Sequence, residues 1–146
     1  MKITLCGSIA FIKEMSKVKT KLEALGHEVK MPPIELLDRN GNQLPSEKFY
    51  EIRRQADNDS ASWIWDLKES SIKRHFDKVA WSDVVLITNY DKRGVKGYIG
   101  ANTLMEMGLA LHLNKKIYLL HDVPDLQYKE EILGMKPKII NNLEEL

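Results

Sequence analysis

The sequence predicts an α/β protein in which helices cover both faces of a parallel β-sheet. Three short runs rich in β-branched residues and leucine, residues 3–6, 84–88 and 117–120, are each closed by polar or turn residues. Such runs are typical of strands that are buried on both faces. Helical patterns lie between them, and this alternation favours a layered sheet with right-handed crossover connections.

The first strand is followed by a predicted amphipathic helix over residues 11–25. Its apolar residues recur every three or four positions, which is the spacing of one helix face. Gly26 is expected to end the helix in the left-handed conformation that glycine adopts readily. The segment around Val29 is a weaker strand candidate. The apolar positions are Phe11, Ile12, Met15, Val18, Leu22 and Leu25.

The second half of the chain continues the alternation. A helix is predicted over residues 102–113, before the third strong strand, and a shorter one over residues 126–133 leads to a weak strand near Ile139. Five parallel strands with helices on both faces make a three-layer sandwich. We expect the flavodoxin-like strand order 2-1-3-4-5.

Residues 32–74 interrupt this regular pattern. The segment is too long for an ordinary connection and too rich in apolar and aromatic residues for a disordered linker. Helices are predicted within it near residues 47–56, and at its end over residues 70–80. An insertion after the second strand would lie at the carboxyl edge of the sheet, where we expect it to act as a partial lid.

The composition favours one domain over residues 1–146, with any anion bound locally. Lys plus Arg is 22 and Asp plus Glu is 21, a net charge of +1, so neither a nucleic-acid polymer nor a membrane is an expected partner. The single cysteine, Cys6, lies in an apolar run and is expected to be a buried thiol. No apolar run approaches the roughly 18 residues of a membrane span, and no signal peptide is predicted. We expect a cytoplasmic protein.

Two loops are predicted at the carboxyl ends of the strands, where open parallel sheets bind ligands. Gly7 and Ser8 follow the first strand and offer close backbone approach, a hydroxyl and a helix N-terminus to an anion. The same pair is also typical of an ordinary turn and cap. The loop over residues 88–100 is rich in glycine and basic residues, which suits either a phosphate site or a solvated charge run. Its basic residues are Lys92, Arg93 and Lys96.

Glu106 is a carboxylate within an otherwise apolar helix. Its spacing from Thr103 fits a capping box, in which the glutamate would reach back to the start of the helix. Its apolar neighbours favour a confined site instead, and a poorly hydrated carboxylate is a competent nucleophile or base. The residues themselves leave both interpretations open. The neighbours are Leu104, Met105, Met107 and Leu109.

Three segments together carry a resemblance to a known family: "GSI" after the first strand, "SDVVLITN", and "NTLMEMGLALHLNKKIYLL". The most specific element is Thr-x-x-Glu-x-Gly-x-Ala, matched by Thr103, Glu106, Gly108 and Ala110. With these segments the chain resembles the nucleoside 2-deoxyribosyltransferase superfamily, which includes the 2'-deoxynucleoside 5'-phosphate N-hydrolases. The resemblance covers about two-thirds of the chain and is strongest over residues 81–120.

The resemblance implies that Glu106 attacks the anomeric carbon of a sugar and that water or a second base resolves the glycosyl-enzyme. It also implies a small-molecule nucleoside or nucleotide as partner and a homodimer, and no metal or other cofactor is expected. The residues predicted to bind the substrate are Gly7, Ser8, Ile9, Asn89, Gly100, Asn102 and Thr103.

The chain departs from the family pattern at two acidic positions. The family commonly has an aspartate eight residues before the aspartate that opens the central strand, and counting back from Asp83 gives His75. Asp77 is displaced by two positions, which on a helix points it about 160° away. A second acid, six residues before the nucleophile, is Gly100 here. Either His75 or Asp77 therefore takes over orientation or proton transfer, or the activity is lost or altered.

Aromatic residues of the insertion suit two roles. Above a nucleotide they would stack on the base, and otherwise they would pin a lid or a partner subunit. They are Phe49, Tyr50, Trp63 and Trp65.

The sequence therefore predicts cleavage of the N-glycosidic bond of a nucleoside or nucleoside 5'-monophosphate, with hydrolysis favoured over base exchange. Two alternatives remain: a non-catalytic nucleotide-binding or regulatory module, and a TIR-like NAD glycohydrolase.

Overall fold

The computed structural model describes all of residues 1–146. Two short 3-10 turns, Ile9–Phe11 and Leu143–Glu145, accompany seven strands and five helices. In chain order these are β1 (Lys2–Cys6), α1 (Ile12–Ala24), β2 (Glu28–Lys30), β3 (Glu35–Leu37), β4 (Gln43–Pro45), α2 (Ser46–Gln55), α3 (Ile64–Trp81), β5 (Val84–Ile87), α4 (Ala101–His112), β6 (Lys116–Leu119), α5 (Lys129–Gly134) and β7 (Lys138–Ile139).

Five of the strands form one parallel sheet in the order β2-β1-β5-β6-β7, so the predicted α/β, flavodoxin-like class is confirmed. The labels differ from the predicted 2-1-3-4-5 because the insertion contributes two extra strands, β3 and β4, which pair antiparallel in a ribbon of their own. Cys6 at the end of β1 lies beside Ile87 at the end of β5. The carboxyl ends of these strands therefore meet at one edge.

The two faces of the sheet pack against different helices. Ile3 and Leu5 of β1 belong to a buried cluster with α1. Cys6 points the other way and packs with Val79 of α3 and Met107 of α4. This alternation follows from the period of two along a strand, and it directs Cys6 toward the two helices that carry His75 and Glu106.

The insertion has its own small apolar cluster, formed by Leu36 and Leu44 of the ribbon, Phe49 of α2 and Ile64 of α3. The helix predicted over residues 70–80 begins earlier, at Ile64, and ends at Trp81, immediately before β5. One continuous helix, α3, therefore connects the insertion to the sheet. Its position is fixed by packing at both ends.

The remaining predicted elements are present with shifted ends. The first helix opens with the 3-10 turn Ile9–Phe11, and Gly26 follows it with φ +89°, in the left-handed region as predicted. The helix that carries Glu106 begins at Ala101, directly after Gly100. No helix of the chain has the length and apolar character that crossing a membrane requires.

Candidate active site

A cavity of about 390 Å³ opens at the carboxyl edge of the sheet. Its walls come from the loop after β1, from α2 and α3, from the loop that follows β5, and from the first turns of α4. The volume falls within the range of about 300–1,000 Å³ that is common for small-molecule sites. The residues predicted from the sequence that line it are Gly7, Ser8, Ile9, His75, Gly100, Asn102, Thr103 and Glu106.

Gly7 is required by the close approach of two strand ends. A Cβ added at this position would clash with the hydroxyl oxygen of Thr88. That hydroxyl is fixed because it donates a hydrogen bond to the carbonyl oxygen of Cys6, at 3.1 Å. Only a residue without a side chain lets the loop after β1 run this close to β5 and border the cavity.

Glu106 does not cap its own helix. Gly100 occupies the N-cap position of α4 without a side-chain cap, so Thr103 is already inside the first turn. The Glu106 side chain is 12% exposed and lines the cavity. Its Oε2 atom is buried and has no hydrogen-bond partner. The geometry therefore agrees with the confined-site interpretation and not with the capping box.

Cys6, His75 and Glu106 meet at the floor of the cavity, each from a different element. The Sγ atom of Cys6 lies 3.5 Å from Nε2 of His75, and the same nitrogen lies 3.6 Å from Oε2 of Glu106. The three side chains come from the end of β1, the middle of α3 and the second turn of α4. Because β1, α3 and α4 pack directly on one another, this arrangement is set by the core.

Burial dominates the electrostatics of this cluster. It raises the pKa of Glu106 to about 8, although the neighbouring Cys6 thiol and the charges of Lys68 and Lys78 act in the opposite direction. Burial lowers the pKa of His75 to about 4, with a smaller contribution from Lys78. Burial also raises the pKa of the Cys6 thiol, and the neighbouring Glu106 adds to this. At neutral pH the cluster therefore holds a neutral imidazole, a thiol and a mostly protonated carboxyl group.

Part of the cavity lining is basic. We call this surface the basic wall, and it consists of Arg53, Arg54, Lys68 and Lys92, all of which line the cavity. None of the four forms a salt bridge with an acidic side chain. Uncompensated cations gathered at one side of a cavity favour an anionic ligand.

Two cations of the basic wall are partly desolvated. Burial lowers the pKa of Lys68 to about 8, and the charge of Arg53 contributes. The Nε atom of Arg53 is buried without a partner, and its guanidinium lies 4.5 Å from the ring centroid of Phe49. Lys92 reaches across to the loop after β1, where its Nζ donates to the hydroxyl of Ser8 at 2.8 Å.

The aromatic residues of the insertion divide into two groups. Phe49, Tyr50 and Trp65 line the cavity, while Trp63 does not. Tyr50 is held in place because Arg93 donates to its hydroxyl at 2.8 Å. Tyr98, from the loop after β5, also faces the cavity. Aromatic rings thus border the same cavity as the basic wall and Glu106.

Two predicted site residues lie elsewhere. Asp77 is exposed and does not line the cavity, because two residues along α3 from His75 is the opposite side of the helix. Asn89, predicted to bind substrate, is 1% exposed and also lies outside the cavity. Its amide nitrogen donates to the carbonyl oxygens of Gly97, His121 and Asp122, so its function is to tie two loops together.

The basic residues of the loop over residues 88–100 also lie partly inside and partly outside the cavity. Lys92 and Arg93 line the cavity, and Lys96 is exposed outside it.

Sequence reasoning missed Arg53, Arg54 and Lys68 as cavity residues and Cys6 as a neighbour of Glu106. One signal was present: Phe49 and Arg53, and likewise Tyr50 and Arg54, are four residues apart and share a side of one helix. A charged residue on a helix is otherwise indistinguishable from an ordinary solvated one. The position of Cys6 depends on how β1, α3 and α4 pack, which no local pattern reveals.

Neither a family model nor a curated protein matches the sequence. Among solved structures, a CMP N-glycosidase from Clostridium botulinum is 16% identical, covers 99% of this chain and 93% of its own, and superimposes with a TM-score of 0.52. A 2-deoxyribosyltransferase from Bacillus psychrosaccharolyticus is 25% identical over 82% of this chain and 71% of its own, with a TM-score of 0.46.

Both of these proteins are members of the nucleoside 2-deoxyribosyltransferase superfamily, which is the family that the sequence resembles. What the glycosidase comparison establishes for this chain is a shared fold.

Proposed function

We propose that the cavity binds a nucleoside 5'-monophosphate and that Glu106 breaks its N-glycosidic bond by attacking the anomeric carbon. The observation that carries this proposal is the Glu106 carboxyl group at the cavity floor, with a buried oxygen free of any hydrogen bond. A nucleophile must keep a lone pair uncommitted and within reach of a ligand. The shared fold with a CMP N-glycosidase places this chemistry first among the reactions to test.

Bond cleavage would depend on whether Glu106 is ionised. An ionised Glu106 carboxylate stabilises the positive charge that develops on the sugar ring and then forms an ester with the anomeric carbon. With a pKa of about 8 the resting group is mostly the acid. Attack therefore uses the ionised fraction, whose proton has left to solvent. Carboxylate and N-glycoside then give the ester and the anion of the base, which takes up a proton from solvent and leaves as the neutral free base. Water hydrolyses the ester in the second step.

His75 takes the role that a second acid has in the resembled family. Its Nε2 atom is 3.6 Å from the carboxyl oxygen, and its pKa of about 4 keeps the imidazole neutral. A neutral imidazole can donate its N–H to the ionised carboxylate and so orient Glu106 toward the sugar. Asp77 has no part in this proposal because it lies outside the cavity.

The basic wall favours a phosphorylated substrate over a free nucleoside. Lys68, Lys92 and Arg53 carry charges without acidic partners, and a phosphate would supply the missing anion. Ser8 lies beside Lys92 and offers a further hydroxyl to the phosphate. Phe49, Tyr50 and Tyr98 offer ring faces to the base.

The insertion would act as a partial lid over the bound nucleotide. It supplies the aromatic rings and most of the basic wall, and α3 connects it rigidly to the sheet. We favour hydrolysis over base exchange because exchange needs water kept from the ester, and the cavity is open to solvent at the edge of the sheet.

A non-catalytic nucleotide-binding module is the second candidate. Protonation of Glu106 at neutral pH favours it, since a protonated carboxyl group is a poor nucleophile.

The two candidates are separated by measuring free base. Purified protein is incubated with a panel of deoxynucleoside and ribonucleoside monophosphates, the matching nucleosides and NAD, and the base is followed by chromatography. We expect release from a monophosphate, a loss of about 10³-fold or more in Glu106→Gln, and no change in Asp77→Asn, an acid-to-amide control outside the cavity. Normal turnover by Glu106→Gln contradicts the proposed nucleophile, saturable binding without release indicates the binding module, and preferential cleavage of NAD indicates the TIR-like activity.

A further inference from the structure

We propose that Cys6, His75 and Glu106 form a zinc-binding site at the cavity floor, and that Zn²⁺ bound there withdraws Glu106 from catalysis. The binding of the metal is independent of the proposed function. Only the second half, inhibition, rests on it.

Two of the three donor–donor distances match those of a tetrahedral zinc site. Zinc binds sulfur at about 2.3 Å and nitrogen or oxygen at about 2.0–2.2 Å, so donors at tetrahedral angles are about 3.3–3.6 Å apart. The distance from Cys6 Sγ to His75 Nε2 is 3.5 Å, and that from His75 Nε2 to Glu106 Oε2 is 3.6 Å. All three donor atoms lie within 4.8 Å of one another.

The donors are of the types that zinc prefers, and they are preorganised. A thiolate, an imidazole and a carboxylate are the three side-chain ligands of zinc sites. The residues are fixed by β1, α3 and α4, whose mutual packing is the core of the protein. The Glu106 Oε2 atom has no other partner that a metal would need to displace.

The charge balance also suits a divalent cation. A thiolate and a carboxylate together neutralise Zn²⁺, and a neutral cluster suits a low-dielectric floor. On binding, the thiol proton of Cys6 and any proton on Glu106 are released to solvent.

Access is through the cavity, and a fourth coordination position faces it. His75 and Glu106 line the cavity, whereas Cys6 is fully buried beneath them. Three protein ligands leave room for water or another small ligand at the metal. Coordination occupies the Glu106 oxygen that would attack the sugar, so metal and nucleotide cleavage compete for one atom.

The direct test uses Co²⁺ as a spectroscopic substitute for zinc. Cys6 is the single cysteine of the chain, so a sulfur-to-cobalt charge-transfer band reports this site alone. We expect that band, together with the intense visible bands of tetrahedral cobalt, and its displacement by Zn²⁺.

The affinity should fall by about 100-fold or more in Cys6→Ser and His75→Gln, since losing even an outer partner of a metal ligand costs about 10- to 100-fold. Asp77→Asn and His112→Gln, at exposed positions outside the cavity, serve as controls that keep wild-type affinity. Circular dichroism establishes that each variant is folded. The absence of the charge-transfer band in folded wild-type protein overturns the proposal, as does equal affinity in Cys6→Ser.

Inhibition is measured separately as base release with added Zn²⁺ and then with a chelator. We expect Zn²⁺ to abolish turnover and the chelator to restore it fully. In Cys6→Ser the inhibition constant for Zn²⁺ should be about 100-fold higher than in wild type. Each rate is compared with the rate of the same protein without metal. A cobalt charge-transfer band in a protein that releases no base would support the metal site and contradict the proposed N-glycosidic bond cleavage. Base release that is insensitive to bound zinc contradicts the inhibitory role.

Discussion

Glu106 makes the stability of the folded protein depend on pH. Its pKa is raised to about 8 in the fold and is about 4.5 in the unfolded chain. Between these values the folded state keeps a proton that the unfolded state has lost, so the free energy of unfolding falls as pH rises through this window. His75 acts at the acidic end, because its pKa is lowered from 6.5 to about 4 and stability is lost as pH falls between these values.

Glu106→Gln should therefore stabilise the protein at alkaline pH. The amide keeps the shape of the carboxyl group and carries no charge to desolvate. We expect a gain of about 1–3 kcal/mol at pH 9 that shrinks toward zero near pH 4.5, measured by urea unfolding across the pH range. A difference between variant and wild type that is the same at every pH would show that the burial of Glu106 does not govern its ionisation.

The pH dependence of turnover should reflect the ionisation of both Glu106 and Lys68. The ionised carboxylate is the attacking form, so kcat/KM should rise about tenfold per pH unit toward a value near 8. Lys68, whose pKa is also about 8, loses its charge above that pH. For a monophosphate substrate we expect a bell-shaped profile with its maximum near pH 8.

Lys68→Met tests the assignment of the alkaline limb. The variant should lose the preference for a monophosphate over its nucleoside, mainly through KM, and the limb that falls above pH 8 should disappear. Lys96→Met is the control, because this lysine of the loop after β5 lies outside the cavity. An unchanged alkaline limb in Lys68→Met would contradict its contact with the phosphate.

At the scale of elements, two glycines of the loop between β5 and α4 differ in how much space surrounds them. Gly94 and Gly97 have φ of +74° and +62°, so an alanine is strained at either position. Only at Gly97 does the new Cβ also meet a neighbour, the backbone oxygen of Asp122. This is the contact region that Asn89 holds together through its side-chain amide.

Gly97→Ala should therefore cost more than Gly94→Ala. We expect about 1 kcal/mol for Gly94→Ala from backbone strain alone, and at least about 1 kcal/mol more for Gly97→Ala. Thermal and urea unfolding of the two variants measures the difference. Equal losses would mean that the loop shifts freely and that its close packing on Asp122 does not position the residues after it.

Sequence patterns predict an element well when a whole face of it is buried. The strands over residues 3–6 and 84–87 are continuous buried runs of mainly apolar and β-branched residues because both of their faces are covered. The ribbon of β3 and β4 escaped prediction because each strand has three residues, of which only the middle one is buried. Such short segments have no periodicity to detect.

At the scale of the whole molecule, the site exists because distant segments meet. The sequence predicts Glu106 through its apolar neighbours and a family motif and His75 through a residue count, and packing alone brings them to within 3.6 Å of each other. Cys6 and Lys68 reach the same place from β1 and the start of α3, and nothing in their neighbouring residues indicates this. What the sequence predicts is therefore the sheet edge, while the composition of the site depends on tertiary contacts.

The proposed lid also belongs to this scale. The insertion adds cations and aromatic rings to the sheet edge that carries Glu106, so under the proposed function substrate choice and bond cleavage would come from different parts of the chain. Substitutions in the basic wall should change the preference among substrates. Substitutions of His75 or Glu106 at the cavity floor should lower turnover of every substrate.

The central claim is that Glu106 forms a covalent bond to the sugar. A 2'-fluoro-arabinosyl nucleoside monophosphate is suited to trap this bond, because the fluorine disfavours positive charge on the ring and slows hydrolysis of the ester. We predict release of one equivalent of base and a stable mass increase of one fluorinated sugar phosphate, mapped by peptide mass spectrometry to Glu106 and absent in Glu106→Gln. Base release with no adduct on Glu106, or the same adduct in Glu106→Gln, would contradict the account.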